Sequence, residues 1–65
     1  MNNDYFVWSA CAYKAASAAI HKECLSVLKD KQMGAEDKLL ALRALLHVQG
    51  EAELNYAKAM ERVKS

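Results

Sequence analysis

Along residues 6–27, apolar and small side chains return at alternating steps of four and three: Phe6, Ala10, Tyr13, Ser17, Ile20, Cys24 and Val27. This is the a/d spacing of a helix that packs along another helix. A second stripe follows: Leu39, Leu42, Leu46, Gly50, then Leu54 or Glu53, Ala57 and Met60. Its steps also match a helix with one apolar face. Between the two runs lies "DKQMGAED", which breaks both patterns. The pattern predicts helix over about 4–31, a turn at about 32–35 and helix over about 35–63.

The ends carry fitting signals. Asn2, Asn3 or Asp4 is placed to cap the first helix, and Asp4 complements its N-terminal dipole. Lys29 and Lys31 suit its last turn. Gly34 suits the left-handed residue that ends many helices. Glu36 and Asp37 then fall in the first turn of the second helix. Gly50 costs that helix about 1 kcal/mol against Ala. The stripe continues through it without a proline, so one continuous helix is expected.

A short turn makes long helices antiparallel neighbours. With the turn near Met33, facing residues have numbers summing to about 66. Phe6 then meets Met60, Ala10 meets Tyr56, Tyr13 meets Glu53 and Ser17 meets Gln49. Towards the turn, Ile20 meets Leu46, Cys24 meets Leu42 and Val27 meets Leu39, while Ala16 opposite Gly50 is the expected closest approach. The stretch "WSACAYKAASAAIHKEC" is rich in alanine and poor in leucine. It is expected to let bulkier residues of the second helix come close.

The hairpin has more apolar residues than one seam can use. Leu40, Leu45 and Val48 point away from the second stripe, and Val7, Trp8, Leu25 and Leu28 lie off the first. So wide an apolar arc needs cover on more than one side. The expected fold is therefore all-α: a long antiparallel helical hairpin, 1–65 as one domain, dimerising into a four-helix bundle. The packing set comprises Phe6, Ala10, Tyr13, Ala16, Ile20, Cys24, Leu28, Leu39, Leu42, Leu46, Gly50, Tyr56 and Met60. Tyr5, Trp8, Leu40 and Leu45 form a candidate partner surface. A hetero-complex using the same surface is the alternative to the twin.

Composition narrows the functions. Hydrophobic residues are 54%, charged residues 26%, and nine basic side chains face eight acidic ones. Below roughly 70–80 residues a single core supplies little stability, so a partner is a common addition. The near-neutral balance lacks the basic footprint of a general nucleic-acid binder. Lys22 and Lys29 share a face but read as solvated charge. No Lys or Arg precedes the first apolar run, so a secretory signal is not expected. The run from Tyr5 to Ile20 contains Lys14 and is too short to span a membrane. Cys11 and Cys24 lie about 20 Å apart along one helix and cannot bridge within it. Reduced thiols and a cytoplasmic location are expected.

Chemistry-bearing constellations are few. His21, Cys24 and His47 are of the residue types that hold zinc, but no CxxC or HxxxH accompanies them. Two histidines beside a buried thiol is the plainer expectation. Cys24 near His21 is the one nucleophile–base pair, with no oxyanion site beside it. No phosphate-binding loop or dinucleotide fingerprint occurs. No enzyme activity, cofactor or metal is expected. The rings of Tyr5, Phe6, Trp8 and Tyr13, with Tyr56 opposite, either anchor a partner or fill the open end of the bundle.

Two long helices around "KDKQMGAED" resemble the small helical-hairpin accessory and regulatory proteins of temperate phages and plasmids. The resemblance covers the whole chain as a format and carries no diagnostic motif. Among such proteins is the repressor-of-primer type, whose dimer is a four-helix bundle that binds paired RNA loops. Short phage accessory proteins act instead by binding host proteins. The resemblance implies a small dimeric adaptor or regulator working on an unknown host protein, with an RNA- or DNA-binding regulator as the alternative.

Overall fold

The computed structural model describes residues 3–64. Two α-helices make up the fold: α1, Asn3–Lys29, and α2, Ala35–Lys64. No strand occurs among the described residues. Both helices carry complementary charge at their ends. Asp4 opens α1 and Lys29 closes it; Glu36 and Asp37 open α2, and Arg62 and Lys64 close it. Each such charge favours its helix terminus through the backbone dipole. Gly50 does not interrupt α2, which runs its full 30 residues. Asn3 and Asp4 already belong to α1, and Asn2, the remaining cap candidate, lies outside the described residues.

The turn differs from the expected one. Helix α1 ends at Lys29, two residues before the expected stop at Lys31. Asp30 provides the reason. Its N–H donates to the Val27 carbonyl at 3.2 Å, a tightened last turn. Its carboxylate then accepts the Gln32 N–H at 2.8 Å. That side-chain turn competes with a further turn of helix. Gly34 has no positive φ, so it is not the left-handed terminator of α1. Instead its carbonyl accepts the Lys38 N–H at 2.9 Å. Gly34 is thus the N-cap of α2. The Lys38 ammonium reaches back and donates to the Leu28 carbonyl at 3.1 Å. It satisfies one of the carbonyls left open at the end of α1.

The helices pack side by side and antiparallel into a rod of 49 × 14 × 11 Å. Its radius of gyration is 15.0 Å, against about 11 Å for a compact chain of this length. The rod is one layer of two helices. The least exposed residues are Ala10, Ser17, Cys24 and Val27 of α1, and Ala52 and Ala59 of α2. Among the described residues, no side chain falls below 2% exposure. The most buried positions are thus mostly small residues, with larger side chains half-buried between them.

The α1 seam follows its sequence stripe: Phe6 and Ile20 are half-buried between the buried positions, and Tyr13 sits at the edge. The α2 seam does not. Its inward positions are Lys38, Leu42, Leu45, Gln49, Ala52, Tyr56, Ala59 and Val63. Compared with the expected stripe, α2 is turned by about one residue, roughly 100°. Leu39, Leu46, Gly50 and Ala57 therefore look outward, and Leu45 looks inward. The expected Ala16–Gly50 approach is not made: Ala16 is exposed, and a Cβ on Gly50 would meet nothing within 4 Å. The turned face puts Ala52 and Ala59 deepest against α1, with Leu42 and Leu45 half-buried nearer the turn. It also brings Gln49 and Glu53 to Ser17.

Candidate interaction surface

The seam carries one polar cluster, halfway along the rod. The Ser17 hydroxyl donates to the Glu53 carboxylate. The Gln49 side-chain amide donates to the Ser17 carbonyl at 3.3 Å and to its hydroxyl at 3.4 Å. Buried Ser17 is thereby satisfied, and no buried side-chain polar atom among the described residues lacks a partner. An unpaired hydroxyl there would cost about 1–3 kcal/mol. The cluster favours one register, because sliding the helices would strand these groups. Ser17 beside Gln49 follows the sum-of-66 pairing. Glu53 reaches past Tyr13, its expected neighbour, to Ser17, one turn further along α1.

On one side of the seam runs an apolar groove of about 500 Å³, lined by Val7, Ala10, Cys11, Lys14, Ala15 and Ala18 of α1 and Tyr56, Met60 and Val63 of α2. The alanine-rich stretch of α1 forms its wall. Lys14 lines it with its stem while its ammonium lies 5.0 Å from the Tyr56 ring centre. The same side continues to the turn. Leu25 follows Cys11 and Ala18 at seven-residue steps, and Leu39, Leu46, Glu53 and Met60 follow one another at the same step. These three leucines are exposed, Leu46 at 57%. This side is thus hollow near the chain termini and bulky near the turn.

The opposite side is more polar. A hollow of about 280 Å³ is lined by Tyr5, Phe6, Ser9 and Tyr13 on α1 and by Asn55, Lys58, Ala59 and Arg62 on α2. Tyr5 meets Phe6 edge to face, centroids 5.3 Å apart at 74°. The Arg62 guanidinium lies 5.7 Å from the Phe6 ring centre. Within the hairpin, Phe6 and Tyr56 are half-buried at this end, whereas Tyr5 and Trp8 stay outside, Trp8 at 69% exposure.

The sequence-derived residues divide accordingly. Ala10, Cys24, Ile20, Phe6, Leu42, Tyr56 and Met60 belong to the seam or its margin. Tyr13, Ala16, Leu28, Leu39, Leu46 and Gly50 remain exposed on the single hairpin. Of the candidate partner residues, Tyr5, Trp8 and Leu40 are exposed and Leu45 is turned towards α1. His21 and His47 are exposed, Cys24 is buried, and no metal-holding group of three His, Cys, Asp or Glu forms among the described residues. Cys11 is exposed and Cys24 buried, both as free thiols. Among the described residues, no helix is long and apolar enough to cross a membrane.

Sequence reasoning missed the groove. Its signal was present in the seven-residue steps Cys11, Ala18, Leu25 and Leu39, Leu46, Glu53, Met60. No protein-family model, curated protein or solved structure matches this chain.

Proposed function

We propose that the hairpin is half of a homodimeric four-helix bundle, and that the bundle is a non-enzymatic adaptor or regulator acting through protein contact. The observation that carries this reading is the unspent apolar surface. Leu25, Leu28, Leu39, Leu40, Leu46 and Leu54 are all exposed, while the seam is built mainly from small residues. The chain exposes 5190 Å², against about 4,100 Å² for a compact monomer of its mass. The excess is of the order of the ~800 Å² per partner that a standard interface covers. That excess is total surface of the elongated rod, and its apolar part on the groove side is carried by Leu25, Leu39 and Leu46. An exposed apolar patch of this kind marks an interaction site.

The exposed Tyr5 and Trp8 support a second contact beyond the twin, since aromatic side chains anchor interfaces. The size and hairpin format suit an accessory protein of phage or plasmid type. Two free thiols suit the reducing cytoplasm. Nucleic-acid regulation is the competing reading, and near-neutral charge counts against it.

Two measurements test the proposal. Light scattering after size exclusion should give twice the 7.2 kDa chain mass, with a melting midpoint that rises with concentration. A monomer at every concentration overturns the dimer. For the wider role, capture from host lysate by the native chain is compared with a Tyr5→Ala, Trp8→Ala double variant. One defined protein lost in the variant is the expected result. RNA or DNA binding at low salt that falls steeply with added salt would overturn the adaptor reading.

A further inference from the structure

We infer that the two copies join through the groove side, antiparallel, with the turn end of each seated over the groove of the other. The inference rests on the dimer reading above and specifies its surface and its direction. The surface follows from continuity: Cys11, Ala18 and Leu25 run down α1, and Leu39, Leu46, Glu53 and Met60 run down α2, on the same side of the seam as the groove, with Glu53 and, seven residues after Ala15, Lys22 as its charged positions. The direction follows from shape. The terminal end of this face is hollow, with about 500 Å³ of open space between the alanines and Cys11 of α1 and Tyr56, Met60 and Val63 of α2. The turn end is raised by exposed Leu25, Leu39 and Leu46. A parallel pairing would set leucine on leucine and groove on groove, leaving a void at one end. Close packing is the norm in protein interiors, and a void forfeits contacts outright. The antiparallel pairing puts each bulk into each hollow. It is also self-complementary about a two-fold axis, as a dimer interface must be.

The native thiol of Cys11, exposed in the groove wall, makes the direction measurable. In the antiparallel bundle with the rods in full overlap, the two-fold axis sets each α1 on the α1 of the other copy, and Cys11 lies level with Leu25 of that copy. Within one chain these two positions are about 21 Å apart along α1, too far for a disulfide. Under mild oxidation, the Leu25→Cys variant should give a covalent dimer on a non-reducing gel. Peptide mapping with fragmentation should join Cys11 to the introduced thiol at position 25 of the other chain. A Cys11–Cys11 link as the main product would overturn the direction. A dimer by light scattering that forms neither link would overturn the surface while leaving the dimer reading intact. A native chain that is monomeric at every concentration would overturn both. A second pair of variants guards against misfolding of the first. Ala18→Glu should halve the mass in solution with helical circular dichroism retained, and Ala16→Glu, on the opposite side, should leave the dimer unchanged. The reverse pattern would overturn the surface.

Discussion

Ala59 and Leu46 are both apolar and both on α2, yet Ala59 is 7% exposed and Leu46 is 57% exposed. The most buried positions along the rod are mostly small (Ala10, Ser17, Cys24, Ala52 and Ala59, with Val27), whereas Leu25, Leu28, Leu39, Leu40, Leu46 and Leu54 are outside and only Leu42 and Leu45 are half-buried. A two-helix hairpin has one seam, and small side chains let that seam close tightly. Leucines gain little from a single neighbouring helix, because each would still face solvent on its far side. They gain more when a further layer covers them, at about 25 cal/mol per Å² of apolar surface removed from water. The difference teaches that the hairpin is organised for two kinds of contact. The tight seam sets register within the chain, and the bulky face is left for assembly.

The sharpest way to break this comparison is to put bulk into the seam. Ala52→Leu should cost about 1–3 kcal/mol, because Ala52 is buried against α1 and the added methylenes must displace it. Urea or thermal unfolding followed by circular dichroism measures this, and a neutral result would mean that the seam is not tightly packed. Next in size is Ser17→Ala, expected to destabilise by about 1 kcal/mol. The loss stays modest because Glu53 is exposed and can take water instead. The double variant with Glu53→Gln should show non-additive losses, as coupled partners do.

Gly50→Ala works in the opposite direction. The position is mid-helix, has no positive φ, and an added Cβ would meet nothing within 4 Å. It should stabilise the hairpin by about 0.5–1 kcal/mol, read in dilute solution where association is absent. A loss there would restore the close approach expected from the sequence stripe. The smallest effect belongs to Ala16→Leu, which should stay within about 0.5 kcal/mol because Ala16 is exposed. Set beside Ala52→Leu, it asks the same substitution of two alanines that differ only in which way they face.

Much of the fold was legible in the pattern. The two helices, the uninterrupted passage through Gly50 and the α1 seam all followed from spacing and from the lack of proline. The Ser17–Gln49 pair followed from the turn position alone. The orientation of α2 did not. Leu39, Leu40, Leu42, Leu45 and Leu46 spread over roughly 220° of the helix at about 100° per residue. Such an arc has no single apolar direction, so periodicity cannot choose between its faces. The groove was hidden for a related reason. Its walls are alanines, which read equally well as buried, exposed or merely helix-forming.

What the sequence by itself determined is local: where helix is favoured, that the break falls within "DKQMGAED", and which residues share a face. These depend on backbone propensity and on the 3.6-residue period, both written within a few residues. What only the tertiary structure decided is which face meets which. It turned α2 by about one residue, made Gly34 the cap of the second helix rather than the end of the first, and set leucine outward beside an open groove. That choice compares whole faces at once. The face chosen buries Ala52 and Ala59 and brings Gln49 and Glu53 onto the buried hydroxyl of Ser17.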